Sequence, residues 1–293
     1  MDQPDIILVE TVGQWENAKK YINEAVEIGV DTEYDSFRYF REVLCLIQVS
    51  TDSAAYLFDP LGDLDLSFLG SKFADRNTRK ILHACDNDIR LLSRDYSFEF
   101  SNIFDTHRAA ALLGSPLLSL PSILKDYLGV ELKKDRNLQR SRWDIRPLSR
   151  EQMRYAAQDV IFLIPLYRKL DEDLKRRQLT ESAYEAFRAM ASVRWREKKL
   201  DRKGHMRIAG FEELDEKGRD RLKRLYEWRF EKARSSNRAR FMILSDKELA
   251  ALAGSNIDSI ESLMGSDAVS SRKKDEYGNE IAELLKYPGP LGE

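Results

Sequence analysis

The run Ala25-Val26-Glu27-Ile28-Gly29-Val30 leads without a break into Asp31-Thr32-Glu33. The apolar part reads as the approach to a buried strand. On a strand, residues two apart share a face, so the Asp31 and Glu33 carboxylates stand side by side as the chain enters a core. Two like charges about 4 Å apart repel by about 1 kcal/mol in water and about 4 kcal/mol at the effective dielectric of a protein surface. A fold that keeps both must expose them, protonate one, or place a cation between them. An isolated pair of this kind is equally well two solvated acids on an edge strand, so the rest of the chain decides.

Around that stretch the sequence predicts strands over Ile6–Val9, Ile28–Tyr34, Leu44–Ser50, Ala55–Asp59 and Arg79–Ala84. Leu44-Cys45-Leu46-Ile47 is apolar without alternation, which predicts a strand covered on both faces. Helices are expected from Gly13 to Ala25 with Thr11 as N-cap, after Asp86-Asn87-Asp88, from Thr106 to Leu113, from Ser119 to Leu128, and from Ser149 onward, where Pro165 should split the run. Strands followed by strand–helix alternation predict a mixed α/β sheet. A further helix is expected over Thr180–Lys199, and Leu214–Tyr287 has helical patterning and no convincing strand. The predicted domains are 1–180, a basic helical linker over 181–206, and a small all-α module over 207–293.

Two more acids sit at chemically suggestive places. Asp88 opens a helix directly after a strand, where an acid is usually a cap. Asp159 precedes Val160-Ile161-Phe162-Leu163 and so lies close to the core, where an unpaired carboxylate is costly. Tyr155, four residues earlier, shares its helix face. If Asp31, Glu33, Asp88 and Asp159 converge, they make a pocket of hard oxygen donors suited to Mg²⁺ or Mn²⁺. Spacing alone does not bring them together.

Charge is unevenly spread. Residues 1–186 carry 25 Lys+Arg against 31 Asp+Glu, whereas residues 187–293 carry 23 against 19, with 18 basic and 9 acidic residues between Arg188 and Arg240. A cation-binding front joined to a polyanion-binding back fits this division. The segment 133–146 interleaves bases with Trp143, a pattern that suits phosphate contact and base stacking but is also found in ordinary surface loops. Cys45 and Cys85 lack zinc spacing and read as reduced core residues. No run reaches the length of a membrane helix and no signal peptide is visible, so a cytoplasmic monomer without membrane contact is the expectation.

The motifs resemble ribonuclease D, in the DEDD superfamily of 3′-to-5′ exonucleases, from about Leu8 to Lys175. VDTEY with the following LCLIQV matches the first exonuclease motif, KILHACDNDIRLL the second, and YAAQDV the third, with the tyrosine that marks the tyrosine subgroup. The tail, through LKRLYEWRFEKARSSNRARFMILSDKELAALA, is similar to an HRDC domain. The resemblance implies a ribonuclease H-like mixed-sheet exonuclease domain followed by a small all-α HRDC-like domain. Asp31, Glu33, Asp88 and Asp159 would then be ligands of two divalent ions, with Tyr155 orienting the attacking water.

Two-ion hydrolysis of the 3′-terminal phosphodiester is the implied chemistry. The implied partner is the single-stranded 3′ end of RNA such as tRNA precursors. Arg142, Trp143, Arg219, Arg221, Lys223, Arg229 and Arg238 are the expected nucleic-acid contacts. Two departures stand out. Longer bacterial ribonuclease D chains carry two helical modules where this chain has room for one, and the family's serine-acid-tryptophan triplet here reads Ser141-Arg142-Trp143. A DNA exonuclease of the Werner type and a catalytically inactive RNA-binding scaffold are the competing readings.

Overall fold

The computed structural model describes residues 4–133 and 135–286. Two compact units emerge: residues 1–35 with 43–196, and residues 36–42 with 197–293.

The first unit is built on a six-stranded sheet of β1 (Asp5–Val9), β2 (Glu27–Asp35), β3 (Val43–Ser50), β4 (Ala54–Phe58), β5 (Arg79–Leu82) and β6 (Ile103–Asp105), in the order β1-β4-β3-β2-β5-β6. β3 is antiparallel to both β2 and β4, while the β1–β4, β2–β5 and β5–β6 pairs are parallel. This is the mixed α/β sheet of a ribonuclease H-like fold. Its helices are α1 (Val12–Glu24), α2 (Ser67–Ala74), α3 (Asp86–Tyr96), α4 (Thr106–Leu112), α5 (Leu120–Leu128), α6 (Arg136–Gln139), α7 (Arg150–Ile161), α8 (Leu163–Arg176) and α9 (Thr180–Ala191).

Local sequence accounts for these boundaries. Thr11 and Gln14 form a reciprocal capping box at α1, as Ser149 and Gln152 do at α7, each satisfying backbone donors that a helix start leaves open. Pro165 falls in the first turn of α8, where its missing N–H costs nothing, and the helical run divides at Phe162. Every residue of β3 after Val43 is buried, because α1–α3 cover one sheet face and α4, α5 and α7–α9 the other. Burying each large aliphatic side chain there contributes about 1.5–3 kcal/mol. Cys45 and Cys85 are free and buried, and burial pushes the Cys45 thiol up to about 12.

The expected helix over Thr180–Lys199 stops at Ala191. Ala183 and Phe187 of α9 belong to the sheet unit's core, so the expected linker of residues 181–206 is divided. Beyond Ser192 exposure alternates residue by residue. That period of two belongs to an extended strap rather than a helix. Val193 packs on the core, and Arg94 lies 5.4 Å from the Trp195 ring.

The second unit is helical: a 3-10 turn (Gly204–Arg207), then α10 (Glu216–Ser236), α11 (Arg240–Ile243), α12 (Asp246–Ala253), α13 (Ile260–Met264) and α14 (Ser271–Lys286). The expected end of the helical region at Tyr287 lies outside the described residues. Residues 36–42, the connection between β2 and β3, join this unit's core. Phe40 packs edge-on against Phe230 at 5.1 Å, Ala239 N donates to the Arg38 carbonyl at 2.9 Å, and Arg41 N donates to Asn237 Oδ1 at 2.7 Å. No helix among the described residues is long and apolar enough to cross a membrane.

Candidate active site

β2 lies inside the sheet, paired with β3 over Gly29–Asp35 and with β5 only over Glu27–Gly29. From Val30 onward its β5-side edge is open. β5 ends at Leu82, the chain turns through Ala84 in a left-handed conformation (φ 55°), and α3 begins at Asp86. Asp88 therefore arrives beside the open edge of β2. It is not a cap: the N-cap position is Cys85, which makes no side-chain capping bond. The Asp88 carboxylate instead accepts a short hydrogen bond from Thr32 Oγ1 and another from the Thr32 N–H.

Asp31 and Glu33 face the other side of the sheet, toward α7. The helix sits very close there. Ser50 Oγ donates to the Val160 carbonyl at 2.8 Å. A Cβ built on Gly29 would lie 2.9 Å from the same carbonyl and closer still to Ser50 Oγ. Only a residue without a side chain allows this approach. The clamp holds α7 one residue beyond Asp159, and one carboxylate oxygen from each of Asp31, Glu33 and Asp159 comes within 4.8 Å of the other two.

The electrostatics follow from that geometry. Burial, then the charges of Asp88, Asp159 and Glu33, hold the Asp31 carboxyl well above the usual carboxylate range. Burial raises Asp88 to about 6 despite the hydrogen bonds from Thr32. Tyr155, buried at 8% exposure, is pushed above an ordinary phenol by burial and by Asp159, Glu33 and Asp31. Three convergent carboxylates, with a fourth adjoining, form a donor set of hard oxygens. The arrangement fits one or more divalent cations of the Mg²⁺ or Mn²⁺ type.

Gln48 of β3 stands directly opposite Asp31. It is fully buried, yet neither its Oε1 nor its Nε2 has a hydrogen-bond partner. Leaving such a group unmade costs about 1–3 kcal/mol. Gln48, Gly29, Ser50 and Thr32 escaped sequence reasoning. A glutamine inside the apolar run LCLIQVS was the one visible signal.

Several expected nucleic-acid contacts do other work. Trp143 is 1% exposed and backs Tyr155 at 6.0 Å between ring centroids, so it does not stack on bases. Arg142 pairs with Asp144. Arg146 ties the same loop to the sheet through Asp59 and the Cys45 carbonyl. Arg221 and Arg229 are buried, with guanidinium groups on the Ser255 and Ile257 carbonyls and on the Leu244 carbonyl and Asp246. These two serve packing, because a guanidinium buried against carbonyls is not presented to phosphate. Arg219 bonds to Glu212, Arg238 to Glu276 and Tyr277, and Lys223 is partly exposed.

Comparison with known proteins places this geometry in context. Residues 6–175 match the family described as 3′-5′ exonuclease, and residues 219–285 match the HRDC domain. The chain is 33% identical over 263 residues to the exosome complex component 10 homolog of Drosophila melanogaster, covering 87% of this chain but 29% of that protein. It is 32% identical over 273 residues to ribonuclease D of Desulfotalea psychrophila, covering 92% of this chain and 72% of that one. Among solved structures, Escherichia coli RNase D, described as an exoribonuclease involved in structured RNA processing, aligns with a TM-score of 0.69 at 26% identity over 96% of this chain and 74% of its own. The catalytic core of RRP6 from Trypanosoma brucei has the same fold, with a TM-score of 0.85 at 22% identity, covering 98% and 82% of the two chains.

Proposed function

The chain belongs to the 3′-5′ exonuclease family, in the nuclease–HRDC arrangement of ribonuclease D, and from that premise we propose that it removes nucleotides from the 3′ end of RNA by metal-dependent hydrolysis. The observation that carries this reading is the convergence of Asp31, Glu33 and Asp159, with carboxylate oxygens within 4.8 Å of one another.

Asp31, Glu33 and Asp159 would hold the divalent ions, with Asp88 completing the set from the open edge of β2. Bound there, Mg²⁺ or Mn²⁺ would supply Lewis acidity and a water of lowered pKa. Thr32 fixes Asp88 through its hydroxyl and its N–H, near enough to Asp31 for its charge to raise that carboxyl. Tyr155 stays protonated at neutral pH because burial and three neighbouring acids raise it. It therefore orients a water by hydrogen bonding and does not act as the base. Trp143 behind it fixes the ring. Structured-RNA 3′ ends such as tRNA precursors are the proposed substrates, supported by the likeness to E. coli RNase D.

The test uses 5′-labelled single-stranded RNA and DNA of one sequence with Mg²⁺ or Mn²⁺. We expect a ladder shortening from the 3′ end, faster on RNA, and absent with EDTA or in Asp159→Ala. A faster ladder on DNA would move the substrate to DNA. Intact binding with no ladder on either polymer would leave an inactive scaffold.

A further inference from the structure

We infer that Gln48 is a positioning residue for the acid cluster, its amide hydrogen-bonding the Asp31 carboxylate, or water held at that carboxylate, once a divalent ion is bound. The inference rests on the exonuclease reading and adds a residue to it.

The argument is one of elimination on a single sheet face. Gln48 and Asp31 are in direct register across the antiparallel β2–β3 pair, so their side chains share a face with Cβ atoms about 4.5–5.5 Å apart. Gln48 is 0% exposed, so bulk water does not satisfy its amide, and neither polar atom has a partner within the protein.

Its other neighbours on this face offer nothing. Leu57 of β4 is opposite it on the far side, Leu46 is two residues before it, and the Ser50 hydroxyl spends its one proton on the Val160 carbonyl and accepts nothing from the Gln48 amide. Gly29 has no side chain. Above lie Ala156, Ala157 and Val160 of α7, all buried in the apolar cluster. The polar group in direct register with the amide is the Asp31 carboxylate. A bound ion would fix that carboxylate, and its remaining oxygen would then take a donor. Partners of this kind around metal ligands typically change affinity 10–100-fold when removed.

The experiment compares wild type with Gln48→Met and Gln48→Leu, which keep bulk and remove the amide. Mn²⁺ binding is followed by calorimetry, thermal unfolding is recorded with EDTA, and kcat and KM are measured on labelled RNA. We expect both variants to bind Mn²⁺ at least 10-fold more weakly and to lose kcat with KM for RNA unchanged. With EDTA they should unfold at the wild-type temperature or above it, because an unsatisfied buried amide has been removed.

Unchanged Mn²⁺ affinity in both variants would overturn the inference while leaving the exonuclease reading intact. Lower metal-free stability without an affinity change, or loss of folded protein in both, would make Gln48 a packing residue and overturn it equally. Wild-type protein that binds no Mn²⁺ would overturn the exonuclease reading itself, and the inference with it.

Discussion

Asp88 keeps its proton up to about pH 6 because burial outweighs the two hydrogen bonds from Thr32, and Asp31 is shifted in the same direction. A carboxyl raised in the folded state binds its proton more tightly there than in the unfolded chain. The stability it contributes is present below about pH 4 and is lost as pH rises through the folded value. Metal-free protein should therefore unfold at progressively lower temperature from about pH 4 to pH 7, and Mg²⁺ should flatten that decline. Asp88→Asn should raise the metal-free melting temperature at pH 7 by roughly 5 °C and abolish hydrolysis. A flat melting profile with EDTA across that range would contradict the arrangement. At this scale the three motifs could be read, because each lies on a single element: Asp31 and Glu33 on β2, Asp88 on α3, Tyr155 and Asp159 on α7. Arg221 and Arg229 were not. A helix surface rich in arginine reads as solvated, and nothing local reveals that the Ser255, Ile257 and Leu244 carbonyls come to lie against it.

The clamp of α7 onto β2 is the element-scale device that sets the site. A methyl at Gly29 would meet the Val160 carbonyl at 2.9 Å and press on Ser50 Oγ, so α7 would have to lift. Gly29→Ala is expected to cost about 1–3 kcal/mol of stability and to lower kcat roughly 100-fold through displacement of Asp159 and Tyr155. RNA binding should be retained. Equal kcat in wild type and variant would show that α7 is not positioned through Gly29. Five of the six strands, the longer helices and the break near Pro165 could be read from pattern, whereas β6 and the short helices α2 and α6 could not, since each offers too few residues to show a period. Gly29 could not, since a glycine in a strand reads as a local weakness until the approach of a distant helix is seen. The basic run after Ala191 has the composition of a helix but the period of an extended segment, and the period decides. Val193 and Trp195 alternate with charged residues, and that alternation was the available signal.

Over the whole chain the division into two units does not follow the sequence from end to end. Residues 36–42 leave β2 just after Asp31 and Glu33 and return into β3, yet they belong to the helical unit. Phe40 is 3% exposed in that unit's core, and the Phe37 and Phe241 rings lie 4.9 Å apart. Cutting the chain after Arg196 should therefore bare Phe40 beside the already exposed Phe37 and give an aggregating nuclease fragment. Replacing both with Ser in that fragment should recover monomeric protein, as read by size-exclusion chromatography. A soluble unmodified fragment would show that the segment does not depend on the helices. The sequence showed two modules but not this exchange, because the loop carries no boundary signal of its own.

That shared loop also bears on heredity. A recombination event that swapped the helical module for a foreign one would have to supply new counterparts for Phe230, Asn237 and Ala239 that still fit Phe40, Arg41 and Arg38. Genes that encode this pair of modules are thus held to exchange them together, and substitutions on either side of the loop should track one another through descent.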